Sequence, residues 1–250
     1  MSFEIKLRAI HFFNHLMLIP AFVYGEWWMW IASYVWWAVI GTIGISAGFH
    51  RYLSHKAYRT YGWFEKVSLA IGCLATGGTP LGWAGAHRMH HAYADTELDP
   101  HSPIKRAWWR IYVHDWGHVK IQRKFIKDLL RNKTVMWLHN HYFKILIVWA
   151  MGLVLIHPLL GIFGYCIPAI MAFHAYGQIN AWGHMWGYRR YNTDDHSYNN
   201  PVVNILTMGE GWHNNHHNTP GSWKIGETWW EWDPAAFVLS TFNLTKRGKH

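Results

Sequence analysis

The sequence predicts an all-α membrane protein, with four transmembrane helices and a cytoplasmic helical cap that carries a histidine-rich site. Three observations predict it. Long stretches carry no charged side chain, the 23 Lys and Arg sit on one side of those stretches, and many of the 20 His fall into three short boxes. Only 15% of the 250 residues are charged and 51% are hydrophobic, against about 25% charged in soluble domains. That balance excludes a disordered chain, a charged coiled coil and a disulfide scaffold. The near-zero mean hydropathy then averages a membrane part and a wet part.

Residues 27–49, WWMWIASYVWWAVIGTIGISAGF, hold no charge and suffice for one crossing, which takes ~20 apolar residues. Residues 145–183 are also uncharged, and 39 residues allow two crossings folded back at Pro158-Leu159-Leu160-Gly161. Residues 9–25 make a weaker span, diluted by His11, Asn14 and His15. Spans are therefore expected near 7–24, 27–49, 143–160 and 163–187. Residues 67–86 are uncharged too, but Gly77-Gly78 and Thr79-Pro80 interrupt a helix. They are read as a surface-docked segment that does not cross. The cap is then 51–141 and 188–250, and residues 1–250 form one integral membrane domain.

With this topology all 23 Lys and Arg share a side with both termini, Lys144 at its border. The positive-inside rule makes that side cytoplasmic. The start, MSFEIKLRAIHFF, has no small-residue cleavage site, so no removable signal peptide is expected. Cys73 and Cys166 fit no CxxC pattern and read as buried free thiols.

The boxes are HxxxxH at His50 and His55, HxxHH at His87, His90 and His91, and HxxHH at His213, His216 and His217. Helical positions i, i+3 and i+4 share a face, so each HxxHH is expected to present three imidazoles toward one point. An i, i+5 pair lies roughly 140° apart on an ideal helix. His50 and His55 converge only if the helix ends or loosens between them. Eight imidazoles are too many for one metal, whereas a two-metal centre takes four or five each. Neutral imidazole suits Fe, Zn, Cu and Ni. At the end of the last span Asn180 and His184 share a face, and Asn180 could hold a metal-bound water. Asp95, Asp99 and Glu210 are candidate acceptors for the outer imidazole N–H groups. The remaining His read as structural, with His101 and His114 the first to check behind the ligands.

The boxes HRYLSH, HRMHH and GEGWHNNHH, in this order and relation to the spans, resemble the membrane fatty acid desaturase family, in the branch related to stearoyl-coenzyme A desaturases. The resemblance runs from the span before His50 to the aromatic tail WKIGETWWEWDP (Trp223 to Pro234). It takes in ADTELDPHSP (Ala94 to Pro103) and the NxxxH of the last span. It implies two irons held by His50, His55, His87, His90, His91, His184, His213, His216 and His217, with Asn180 reaching one through water. It implies an oxidoreductase that inserts a cis double bond into a saturated acyl chain, Δ9 being one candidate position, using O2 and two electrons. Two positions depart from the coenzyme A-using pattern. Gly85 and Ala86 stand where an Arg-Asp pair holds the coenzyme, which favours an acyl-lipid or acyl-carrier-protein substrate. Ala38 stands where a Tyr closes the acyl tunnel, with Thr42 one turn later, while Trp83 is kept. Ala38, Thr42 and Trp83 are the tunnel candidates.

Two other readings fit parts of the pattern. One is a membrane di-iron hydroxylase on the same scaffold. The other is a His-rich metal transporter, which would put its ligands near mid-bilayer rather than at one face. The chain has no CxxCH haem motif and no four-Cys set. Electrons would come from a separate ferredoxin or b-type cytochrome. The run Lys120 to Lys133 is either a docking surface for an acidic donor or an interfacial helix on anionic lipid. Other expected partners are the lipid bilayer and the acyl substrate; no nucleic acid is expected.

Overall fold

The computed structural model describes residues 2–115 and 120–244. It is all-helical, with no strand among the described residues. The N-terminus forms α1 (Phe3–Leu16) and α2 (Leu18–Tyr24), separated by a turn at Met17. Next, α3 (Trp27–Val39) runs without a break into a π-helix (Ile40–Ser54). Two shorter helices follow, α4 (Gly62–Cys73) and α5 (Pro80–Tyr93), then α6 (Trp108–Tyr112). The long α7 (Lys133–Ile156) is followed by α8 (Pro158–Gly161), a π turn (Ile162–Cys166) and α9 (Ile167–Trp182). The C-terminal part carries α10 (Pro201–Leu206), α11 (His213–Asn218) and α12 (Pro234–Thr241).

Three helical runs are long and apolar enough to cross a membrane: Trp27–Ser54, Lys133–Ile156 and Pro158–Trp182. On α7, Val148 is 72% and Leu155 81% exposed. An apolar face of that kind suits lipid, where helical backbone is already hydrogen-bonded internally. The N-terminal region is not a fourth run of this type, because the turn at Met17 splits it. The expected fold-back at Pro158–Gly161 shifts by a few residues. The chain turns at His157, which is extended, and Pro158 opens the next helix. Proline suits that first position because its missing N–H would have no helical partner there. The His157 ring accepts from Leu159 N instead. Other boundaries also move: α7 begins ten residues before 143, the first long run continues past 49 to Ser54, and α9 stops at Trp182. Residues 67–86 are split between α4 and α5, and neither helix is among the candidate spans.

Glycine sets how closely the cap meets the first long run. A Cβ at Gly44 would lie 2.6 Å from Gly72 N and 2.7 Å from Gly72 Cα, and one at Gly48 would crowd Ser68. The π-helix and α4 therefore meet backbone to backbone. Around this seam Phe49, Leu69 and Cys73 are fully buried and join the core with Trp37, Leu146 and Tyr176. Both cysteines are buried free thiols.

Candidate metal centre

The eight box histidines and His184 converge in two groups. Ring nitrogens of His50, His55, His87, His91 and His216 lie within 4.8 Å of one another. Those of His90, His184, His213 and His217 do the same. Each HxxHH box is thus divided between the groups, rather than aimed at one point. His87 and His91, one turn apart, go to the larger group while His90 goes to the smaller. In α11, His213 and His217 go to the smaller and His216 to the larger. The i, i+4 pair shares one face, and the residue between them leans to the neighbouring face, so one helix serves both groups.

The π-helix explains the HxxxxH spacing. Its hydrogen bonds run from i to i+5, as in His55 N donating to His50 O at 3.2 Å. That winding brings the two rings to 5.1 Å between centroids. The carbonyls of the last turn are nearly all met locally. Tyr58 Oη serves Ala47, Ser54 Oγ serves Phe49, His55 N serves His50, Ala57 N serves Arg51 and Lys56 N serves Tyr52. Leu53 O and Ser54 O have no such local donor, and both are taken by Arg88. Its Nη2 donates to Leu53 O at 2.7 Å and its Nε to Ser54 O at 2.9 Å. The same guanidinium donates to Phe125 O and bidentately to Asp128. Arg88, inside the second box, thus fastens the end of the first.

Carboxylates stand behind the rings. His90 Nδ1 donates to Asp99 at 2.9 Å, His184 Nδ1 to Asp95 at 3.1 Å and His217 Nδ1 to Asp195 at 2.5 Å. His50 Nδ1 is paired with Glu210. Asp95, Asp99 and Glu210, nominated from sequence, thus contact His184, His90 and His50 respectively. Asp195 was missed; its one sequence signal is the Asp194-Asp195 pair between the last span and the third box. His101 stacks on His90 at 4.3 Å and joins it and Asp99 in a third close group. Burial works against the charge on Asp95, Asp99 and Asp195. The rings and backbone donors outweigh it and hold all three below the usual carboxylate range. Burial also opposes charge on Glu210, but His50 and Arg51 hold it at about 2. Burial first, and neighbouring imidazoles second, push His55, His87, His91, His213 and His216 well below the ordinary imidazole range. Neutral rings keep a lone pair for a metal.

These donors suit a metal pair. Where a carboxylate accepts from the Nδ1–H of a neutral ring, Nε2 carries a lone pair. His90 Nε2 and His217 Nε2, both so fixed, face each other at 3.3 Å. Two ring nitrogens at that distance share either a proton or a metal ion between them. Imidazole sets without thiolates fit Fe, Zn, Cu or Ni better than Mg or Ca.

The non-ligand residues of the third box tie the cap together. Asn214 Oδ1 accepts from Arg190 N and Tyr191 N, and Asn215 Nδ2 donates to Ile225 O and Glu231. Arg51, buried, bridges Glu210 and Asp233, which joins the first box to the aromatic tail.

Two cavities share Trp83, Ala86 and Tyr176 as walls, and the smaller one reaches the metal centre. A small one, about 40 Å³, lies against His50, His87 and His213 and is lined by Asn180, Glu210 and Trp83. A larger one, about 540 Å³, extends from Trp83, Ala86 and Tyr176 to Phe3, Leu7 and Arg8 of α1. Trp83 lines both and stacks on His87 at 5.0 Å. Thr42 is buried and Ala38 half-buried in the first long run, and neither lines these two cavities. His114 lines the larger cavity, with its Nε2 on Phe173 O. The run Lys120 to Lys133 is not the interfacial helix considered from sequence. It forms two single 3₁₀ turns, Arg123–Phe125 and Leu129–Arg131, with Arg123, Lys124, Lys127 and Arg131 exposed.

Comparison with known proteins agrees with this chemistry. A family model described as fatty acid desaturase matches residues 25–232. The sn-2 palmitoyl-lipid 9-desaturase of a Nostoc species is 36% identical over 84% of this chain and 77% of its own length. The sn-1 stearoyl-lipid 9-desaturase of a Synechocystis species is 36% identical over 94% of this chain and 77% of its own length. The acyl-CoA C20 Δ5-desaturase of Anemone leveillei is 33% identical over 87% of this chain and 71% of its own length.

Proposed function

The chain belongs to the fatty acid desaturase family, and from that premise we propose that it is an acyl-lipid 9-desaturase whose nine histidines hold two irons. The single observation that carries the metal assignment is the convergence of nine imidazoles in two groups, four of the rings backed by carboxylates. The larger group would hold one iron. The smaller would hold the other, with Asn180 approaching through water from the small cavity. When bound, the irons would supply the oxidising power, from O2 and two electrons, to remove two hydrogens from an unactivated alkyl chain.

The protein's own part is orientation and exclusion of water. The carboxylates fix the tautomers of His50, His90, His184 and His217, and burial favours the neutral form of His55, His87, His91, His213 and His216. The larger cavity would hold the acyl chain, with Trp83 between the chain and the rings, so that position selects the carbon. Support for a lipid carrier comes from Gly85. A Cβ there would lie 2.6 Å from Ile126 and 2.7 Å from Ile121, which leaves no room for a head-group-binding side chain. The Nostoc and Synechocystis relatives also carry lipid in their names.

Residues 7–24 would form a fourth crossing, and the positive-inside pattern of the Lys and Arg supports termini and metal centre on the cytoplasmic side. The donor would be a separate acidic ferredoxin or b-type cytochrome, guided by the exposed cations of 120–133. Expression in a host, with lipid fatty acids profiled and double bonds mapped, tests the reading. New Δ9 bonds in glycerolipid acyl chains are the expected result. Hydroxylated chains would show the hydroxylase chemistry instead, and an unchanged profile would refute both.

A further inference from the structure

We infer that the two histidine groups are unequal, and that the smaller group takes up its divalent ion first and more tightly. The inference rests on the reading that these groups hold metal. Three of the four rings in the smaller group donate Nδ1–H to an aspartate. Each aspartate is itself held from behind. Asp95 accepts from Ser102 Oγ at 2.7 Å and His196 N at 2.8 Å. Asp99 accepts from Asp95 N and His101 N. Asp195 accepts from Thr193 Oγ1 and from both Oγ and N of Ser197. The rings, their tautomers and the aim of their lone pairs are fixed before any ion arrives.

The larger group is built differently. Its one carboxylate, Glu210, backs only His50 and is shared with Arg51 and Ser46. His216 Nδ1 is buried with no hydrogen-bond partner. His55 follows the last residue of the π-helix, and its place depends on that helix end staying docked. Losing one carboxylate partner behind a ligating His costs roughly 10–100-fold in metal affinity. The smaller group has three such partners and the larger has one. The fifth imidazole of the larger group works the other way, but it is added without a carboxylate behind it.

The test is stepwise loading of metal-free, detergent-solubilised protein with Co²⁺, followed by visible absorbance and by metal analysis after gel filtration. The expected result is two resolved equivalents. Asp195→Asn, and separately Asp99→Asn, should weaken the first roughly 10–100-fold and leave the second in place. Glu210→Gln should weaken the second and spare the first. Two equivalents of one affinity in the unmodified protein would overturn the inference without any variant. So would the reverse pattern, with Glu210→Gln acting on the first equivalent. Failure to bind Co²⁺ at all would remove the metal reading itself, an outcome distinct from loss of order.

Discussion

Replacing Arg88 by Ala should undock the end of the π-helix while leaving the long helices intact. Three contributions can be added from the structure. The carbonyls of Leu53 and Ser54 each lose a charged donor, at 2.7 and 2.9 Å. Both can rehydrate in part, so about 1 kcal/mol each is appropriate. The pair with Asp128 is bidentate, but Asp128 is 37% exposed, so solvent screening limits it to about 1 kcal/mol. The total of about 3 kcal/mol is roughly a hundredfold in the docking equilibrium. Hydrogen exchange of the His55, Lys56 and Ala57 amides reads that equilibrium, because all three donate into the last turn. Their exchange should quicken about a hundredfold, with desaturation falling alongside. Arg88→Lys should recover only part, since an ammonium cannot reproduce the five-donor fork. Asp128→Asn should have the smallest effect, because the carbonyl bonds survive it. Unchanged protection of these amides in Arg88→Ala would refute the fastening role.

Further expectations follow from other contacts. Gly44→Ala forces a Cβ against the Gly72 backbone and should cost about 1–3 kcal/mol, read as a lower unfolding midpoint in detergent; a neutral effect would mean the seam is looser than described. Gly85→Arg should likewise lower stability by crowding Ile121 and Ile126, and should not create activity on acyl-coenzyme A, as product analysis with purified substrates would check. Trp83→Ala merges the two cavities and should scatter the double-bond position, seen by mass spectrometry of derivatised products; a single unchanged position would assign selection elsewhere. Reversing Arg123, Lys124 and Lys127 to Glu should slow donor-supported turnover several-fold at low salt, with the difference vanishing at high salt. Salt-independent loss would argue against electrostatic docking.

The ligand boxes were legible because spacing along a helix is a rigid ruler. His87 with His91, and His213 with His217, sit one turn apart wherever the helix goes. The division of each box between two groups was not legible, since it depends on how α5 and α11 lie relative to each other. The HxxxxH spacing posed the right question, whether the helix ends or loosens, and the π-helix answers that it does both. Asp99, nine residues from His90, belongs to a motif stretch and could be nominated. Asp195 meets His217 only through a long-range turn that no local pattern marks. Arg88 lay hidden inside a box whose histidines drew the attention. Boundaries slipped where charge was the only guide: Lys133 and Lys144 lie within α7, and Met17, an apolar residue, interrupts the N-terminal run.

The glycine seam between the π-helix and α4 also decides which side of the protein can breathe. Two backbones in contact offer no side chains to swing aside, so the cap cannot hinge away from the first long run along that edge. In the larger cavity, by contrast, α1 contributes Phe3, Leu7 and Arg8 to the wall and Phe3 is 42% exposed. An acyl chain held there would therefore thread in and out past α1, and the traffic of substrate and product would be set by the looseness of that one door.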